Sequence, residues 1–230
     1  MTFVVSNLYG RLDKFEKLIK KINLKDSDVL YVLGNIVDYG EQSIELVNDL
    51  SARYNVYSVL GEHDYKAYLL LSEFDRILKE GGAPSISFSK EMIQWAQNGG
   101  QATLEAFKNA TPDDKEGFLD YLSDLPVFEE ATLKNGKEYV LTCRGIDNFD
   151  KDTDLYDYEL DDFMNGYLDI DKTYFNDRIM VVGYLDYEHT PAGRAGRVTS
   201  KNNNIALAPD MSENDDVVCI CLETNDEYYV

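Results

Sequence analysis

The spacing of apolar positions changes character twice along this chain. In the first third, "TFVV" (2–5), "DVLYVLG" (28–34) and "NVYSVLG" (55–61) are short apolar runs of the kind that form fully buried strands. Between them, "RLDKFEKLIKKI" sets Leu12, Phe15, Leu18, Ile19 and Ile22 at helical spacing, and "SIELVNDLSARY" does the same with Ile44, Leu46, Val47 and Leu50. Strands alternating with helices predict a βαβαβ unit and a parallel sheet. Each strand runs into a Gly-containing turn: "SNLYG", "GNIVDYG" and "GEHD". Ligands of such sheets sit beyond the carboxyl ends of the strands, so the three turns are expected to converge on one edge.

The middle of the chain, roughly 64–125, reads as helical, with Gly81-Gly82 and Gly99-Gly100 as stop signals. From 127 the pattern turns to β: "VFEEATL", a hairpin turn at Asn135-Gly136, then "KEYVLTC". An acidic segment follows, and after it come "RIMVVGY" (178–184), "NIALAP" (204–209), "DVVCICLE" (216–223) and "EYYV" (227–230). No internal repeat or linker divides the chain, so residues 1–230 are expected to form a single domain.

Composition narrows the function classes. Apolar residues make up 44% of 230, which is globular rather than disordered. No apolar run approaches the length of a membrane span, and "MTFVVSNLYG" lacks a basic leader, so a soluble, cytoplasmic protein is expected, with no membrane partner. Cys143, Cys219 and Cys221 sit in strand-like segments, which suits small buried thiols better than a disulfide framework or structural zinc. With 43 acidic and 22 basic residues the net charge is −21, and no basic stripe offers phosphate contacts to a nucleic acid. The same field opposes an anionic substrate unless metal ions reverse it locally.

The order of the turns resembles that of the calcineurin-like metallophosphoesterases, and within them the small bacterial serine/threonine protein phosphatases. The likeness runs from "SNLYGRLDKF" to "CICLETNDEYYV". It implies an α/β (α+β) fold of four αββα layers: two sheets face to face, helices outside, an N-terminal βαβαβ, a helical middle and a β-rich C-terminal half. It also implies a two-metal centre at the strand ends, which clamps the phosphate and supplies the nucleophile.

The family's Asp-x-His-Gly resembles "NLYG", which puts Asn7 in place of Asp and Tyr9 in place of His. Its Gly-Asp-x-x-Asp-Arg-Gly resembles "GNIVDYG": Asn35 replaces the metal-bridging Asp, Tyr39 replaces the phosphate-gripping Arg, and Asp38 remains. Gly-Asn-His-Asp resembles "GEHD", where Glu62 replaces Asn and His63 and Asp64 are kept. His-Ala-Gly resembles "CRG", with Cys143 where a ligand His belongs. The late Gly-His turn resembles either "GYLD", giving Tyr184, or "EHTP", giving His189, and the family's Asp-Thr-Gly resembles "APD" at 208–210.

Core positions and turn glycines fit the family, whereas almost every metal ligand does not. Neutral amides and phenols bind hard cations far less well than carboxylates and imidazoles. The resemblance therefore implies a pseudophosphatase with no expected metal, which acts by binding a protein partner or a phosphorylated ligand. His63, Asp64 and Asp38 would be a vestigial catalytic set, since His63 has no metal-bound nucleophile to assist. Two alternatives stand beside this reading. One is a weak or altered phosphoesterase holding manganese, iron or zinc at reduced occupancy on Glu62, Cys143 and His189. The other is an acidic decoy that engages a basic partner through charge.

Three further features bear on function. Asp150, Asp152, Asp154 and Asp161 have the spacing of a calcium loop, but Leu155 stands where such a loop needs Gly, so a solvated acidic loop is expected. Seventeen tyrosines, many in acidic settings, suit a partner-binding face. "PAGRAGR" (191–197) reads as a small basic loop.

Overall fold

The computed structural model describes residues 1–185, 196–207 and 216–230. The first third is the expected alternation: β1 (Thr2–Val5), α1 (Leu12–Ile22), β2 (Val29–Leu33), α2 (Ser43–Ser51) and β3 (Val56–Val59). β2 lies between β1 and β3 and is parallel to both. α1 buries Phe15, Leu18 and Ile22 on one face and stops at Asn23, which takes the left-handed conformation that ends a helix cheaply.

The helical middle contains α3 (Glu62–Glu80), α4 (Ile86–Trp95), α5 (Gln101–Asn109) and α6 (Pro112–Ser123). Gly81 closes α3 as expected, at φ +74°. α4 starts four residues before the "KEMIQW" pattern, because Ser85 Oγ accepts the Phe88 N–H and caps it. Gly99-Gly100 breaks the helix as expected: Asn98 and Gly99, the latter at φ +100°, leave helical geometry, and the chain re-enters a helix at Gln101. The Trp95 indole packs on Gly100 so closely that a Cβ there would lie 2.2 Å from the ring.

The C-terminal half supplies β4 (Phe128–Thr132), β5 (Glu138–Thr142), α7 (Leu160–Asn165), β6 (Arg178–Val182), β7 (Val198–Lys201), β8 (Asn204–Leu207), β9 (Val218–Cys221) and β10 (Glu227–Tyr229). β9 and β10 return to the first sheet, whose order is β10-β9-β1-β2-β3; the second is β4-β5-β6-β8-β7. Strand period sorts the side chains into layers. Val4, Leu33, Val59 and Ile220 face Leu141, Val181 and Leu207 between the sheets. Phe3, Val5, Leu30 and Val32 point the other way, onto Phe15, Leu46, Phe107 and Phe118 of the helices. The second sheet's outer face, with Val140, Met180 and Val182, packs on Phe163 and Met164 of α7. The result is the four-layer αββα arrangement.

Two segments differ from the sequence reading. "VTSK" forms β7, an edge strand with only Val198 buried, so it carries almost no period-2 signal. The acidic segment is not simply a solvated loop, since it holds a 3-10 turn at Leu155–Asp157 and then α7. Its carboxylates bond their own backbone: Asp150 accepts from the Asp152 N–H and Asp154 from the Tyr156 N–H. All three cysteines are free and buried. Among the described residues, no helix is long and apolar enough to cross a membrane.

Candidate functional site

The turns after β1, β2 and β3 meet at the strand ends and lock onto one another. Tyr9 N–H donates to Asn35 O (3.0 Å) and Gly40 N–H to Tyr9 O (2.9 Å). Five residues that are not glycine hold left-handed backbone here: Asn7, Tyr9, Asn35, Asp38 and Tyr39. Asn and Asp reach that region at modest cost, but two tyrosines do so only under strong surrounding constraint. The turns are pressed together so tightly that a Cβ on Gly40 would lie 2.4 Å from Tyr9 O.

On one side of this junction the polar groups are amides. Asn7 Nδ2 donates to Gly183 O (2.7 Å) and Ser6 Oγ (2.9 Å). Asn7 Oδ1 accepts from Asn35 Nδ2 at 2.8 Å, and Asn35 Oδ1 accepts from the His63 backbone N–H at 3.4 Å. Both side chains are buried. The two amides thus satisfy each other, which two carboxylates at that spacing could do only by sharing a proton or a cation.

On the other side the polar groups are ionisable. Asp64, fully buried at the third position of α3, accepts the N–H groups of Ile36 (2.7 Å) and Val37 (3.2 Å) on Oδ1 and of Gly61 (3.0 Å) on Oδ2. Burial raises its pKa to about 6, against the lowering effect of those three donors. Asp38 Oδ2 lies 2.7 Å from His63 Nδ1 and accepts the Trp95 indole N–H at 2.9 Å, while its backbone N–H donates to Thr103 Oγ1. Asp38 Oδ1 is buried without a hydrogen-bond partner among the described residues. Burial pulls the His63 pKa down, but the hydrogen bond and charge of Asp38 outweigh it and the net shift is upward.

Between the two sides lies a small cavity of about 140 Å³, lined by Tyr9, Asn35, Tyr39, His63, Arg144 and Tyr184, with Glu62 at its mouth. The Tyr9 ring stands edge-on to Tyr39 (5.0 Å) and to His63 (5.4 Å). Burial raises the Tyr9 pKa, so the phenol stays neutral. Arg144 donates to Glu62 at 2.8 Å and lies over the Tyr184 ring at 5.2 Å. Cys143 belongs to the inter-sheet core, with its sulfur close against Gly34 at the end of β2, and burial keeps its thiol protonated. Among the described residues no three His, Cys, Asp or Glu side chains are grouped closely enough to hold a metal ion. That holds for the four aspartates of the acidic segment as well. A second groove of about 380 Å³ shares Glu62 and His63 and runs along α3 past Leu69 to Trp95 and Met164.

Asn7, Tyr9, Asn35, Asp38, Tyr39, Glu62, His63, Asp64 and Tyr184 therefore stand in or beside one cleft. Cys143 lies behind it, while His189, most of "PAGRAGR" and "APD" fall outside the described residues. The sequence reading missed Arg144, Trp95, Thr103 and Ser6. Arg144 sits inside the quoted "CRG", where a long cation beside a turn glycine was a usable signal. Trp95 and Thr103 reach the site from helices far along the chain, which no local pattern reveals.

The family model for calcineurin-like phosphoesterases matches residues 2–219. The chain belongs to that family. A curated relative, the uncharacterized protein MJ0912 of Methanocaldococcus jannaschii, is 24% identical over 90% of this chain and 68% of its own length. Among solved structures, one described as a putative diadenosine tetraphosphatase superposes with a TM-score of 0.65 at 17% identity, covering all of this chain and 92% of that one. A serine/threonine phosphatase from Saccharomyces cerevisiae gives 0.52 at 14%, covering 95% of this chain and 72% of that one. At such identities the structural likenesses establish the fold alone. It is the calcineurin-like phosphoesterase fold, and the cleft lies at the carboxyl ends of its parallel strands.

Proposed function

We propose that this chain is a non-catalytic calcineurin-like phosphoesterase, which binds a phosphorylated group of a protein partner in the old catalytic cleft and does not hydrolyse it. One observation carries the reading: the Asn7–Asn35 amide pair, with Oδ1 and Nδ2 joined at 2.8 Å. A two-cation centre needs anionic ligands at its heart, and here those positions are neutral, buried and already bonded to each other. The donor set does not fit the family's metals.

The cavity supports the binding role. Arg144, His63 and the three phenols bring cationic and neutral hydrogen-bond donors to a space of about 140 Å³ in an otherwise acidic protein. The longer groove along α3 gives room for the residues flanking such a group. The serine/threonine branch of the family is the favoured source of the ligand, on the order and spacing of the three turns. A reduced metal site on Glu62 and Cys143 is disfavoured, because Glu62 is engaged by Arg144 and Cys143 is a buried neutral thiol.

Metal analysis of the purified chain, paired with calorimetry against phosphoserine and unmodified versions of one peptide, tests the proposal. The expected result is far less than one metal per chain, no phosphomonoester turnover, and binding that depends on the phosphate. Stoichiometric manganese, iron or zinc, with turnover that scales with it, would falsify the reading.

A further inference from the structure

The cleft contains a cation of its own. Glu62 stands where the family supplies a metal-ligating Asn, and its carboxylate is bonded to the Arg144 guanidinium at 2.8 Å. The same guanidinium lies 5.2 Å from the centre of the Tyr184 ring, at a position resembling that of a late ligand His. Arg144 shares the cavity with Tyr9 and Asn35, which stand at two more ligand positions, and its side chain is only 20% exposed. Two of the positions that resemble metal ligands thus contact one guanidinium, and two more line the same cavity.

We infer that Arg144 replaces the metal charge in this cleft: its guanidinium is the fixed cation around which Glu62, Tyr184, Tyr9 and Asn35 are arranged, and it excludes a divalent ion from the same space. The chemistry favours the exchange. A guanidinium is planar, permanently charged and weakly hydrated, so one carboxylate and an aromatic face are enough to hold it. A divalent ion needs several anionic or imidazole ligands, which this cleft lacks. The exchange also gives physical sense to Asn-to-Glu at position 62, since a carboxylate pairs with Arg more strongly than an amide does. A fixed positive charge in a partly closed cavity then opposes any cation entering beside it. The inference rests on the metal-free reading above and adds the residue that enforces it.

The test restores the family's ligands and then removes the guanidinium. Asn7→Asp/Tyr9→His/Asn35→Asp is prepared with Arg144 intact, with Arg144→Ala and with Arg144→Lys, and manganese affinity is measured by calorimetry and thermal shift. Arg144→Ala is expected to tighten manganese binding at least tenfold over the other two backgrounds, both of which keep a cation at this position. Equal affinity in all three overturns the inference. A second arm needs no restored ligands and covers the case in which the triple variant fails to fold. Arg144→Ala in the otherwise unaltered chain is expected to melt several degrees lower and to be raised by millimolar methylguanidinium, which leaves the unaltered chain unmoved. No rescue overturns the inference too. Stoichiometric manganese on the unaltered chain is a different failure: it removes the metal-free reading itself.

Discussion

The two sides of the cleft handle buried polarity in opposite ways. On the Asp38–His63–Asp64 side, ionisable groups persist, and each is held by donors from the protein: three backbone N–H groups for Asp64, an imidazole and an indole for Asp38. On the Asn7–Asn35 side, the groups are neutral and bond chiefly to each other and to backbone. The difference follows from what each side leans on. A buried carboxylate is tolerated where protein donors satisfy it, whereas two carboxylates at the Asn7 and Asn35 positions would face each other as adjacent unpaired charges. Asp64 has a structural task, tying the turns after β2 and β3 together, and that task is independent of catalysis.

Removing the structural carboxylate is the largest perturbation of this contrast. Asp64→Ala leaves the N–H groups of Ile36, Val37 and Gly61 buried without their acceptor. At about 1–3 kcal/mol for each stranded group, with partial relaxation, a loss of about 3–5 kcal/mol is expected. Asp64→Asn should cost less, because one amide oxygen still serves Ile36 and Val37. Denaturant midpoints for the two variants check the order, and an Ala variant as stable as the parent would show that the turns hold without this anchor.

The opposite side gives the next effect. Asn7→Asp/Asn35→Asp places two carboxylates where the amides now bond at 2.8 Å. In the presence of a chelator the double variant should lose about 2–4 kcal/mol, more than the two single variants summed, since only the double variant sets two buried carboxylates against each other. A double-mutant cycle by denaturant titration measures the coupling. Additive losses would mean that the two side chains do not act as a pair.

Legibility in the sequence followed the same division between local and distant determinants. β1, β2, β3 and the helices between them were plain, because buried parallel strands and amphipathic helices have distinct periods. The turn residues were plain too, since Asn7, Asn35 and Asp38 lie within a few residues of strand ends. β7 was invisible because an edge strand with one buried side chain has no period to read. The break at Gly99-Gly100 was plain, because a glycine pair inside an apolar-periodic run marks a left-handed exit from the helix, and Gly99 takes it at φ +100°. Arg144 was legible in "CRG", whereas Trp95 and Thr103 enter the cleft from the helical layer. Their roles depend on which helices and strand ends the tertiary structure brings together, and a one-dimensional pattern does not encode that.

The smallest expected effect is a pH dependence that separates the ionisable side from the amide side. Asp64 and His63 both have folded-state pKa values above their unfolded ones, so each contributes stability at low pH that is lost as pH rises. The Asp64 share is complete below about pH 4 and gone above about 6. The His63 share is complete below its unfolded value near 6.5 and is lost as pH passes its raised folded value. Unfolding free energy should therefore fall from about pH 4 upward in two stages, first as Asp64 ionises and then, above about pH 6.5, as His63 loses its proton. His63→Gln should flatten only the later stage, while the self-repulsion of a chain carrying a net charge of −21 acts on parent and variant alike and cancels in the comparison. Asn7 and Asn35 do not titrate, so replacing either by Ala should shift the whole curve without changing its slope. Denaturant midpoints at several pH values resolve these cases: a His63→Gln curve parallel to the parent above about pH 6.5 would mean that the Asp38–His63 contact stores no protonation energy, and the pH dependence of the ionisable side would then rest on Asp64.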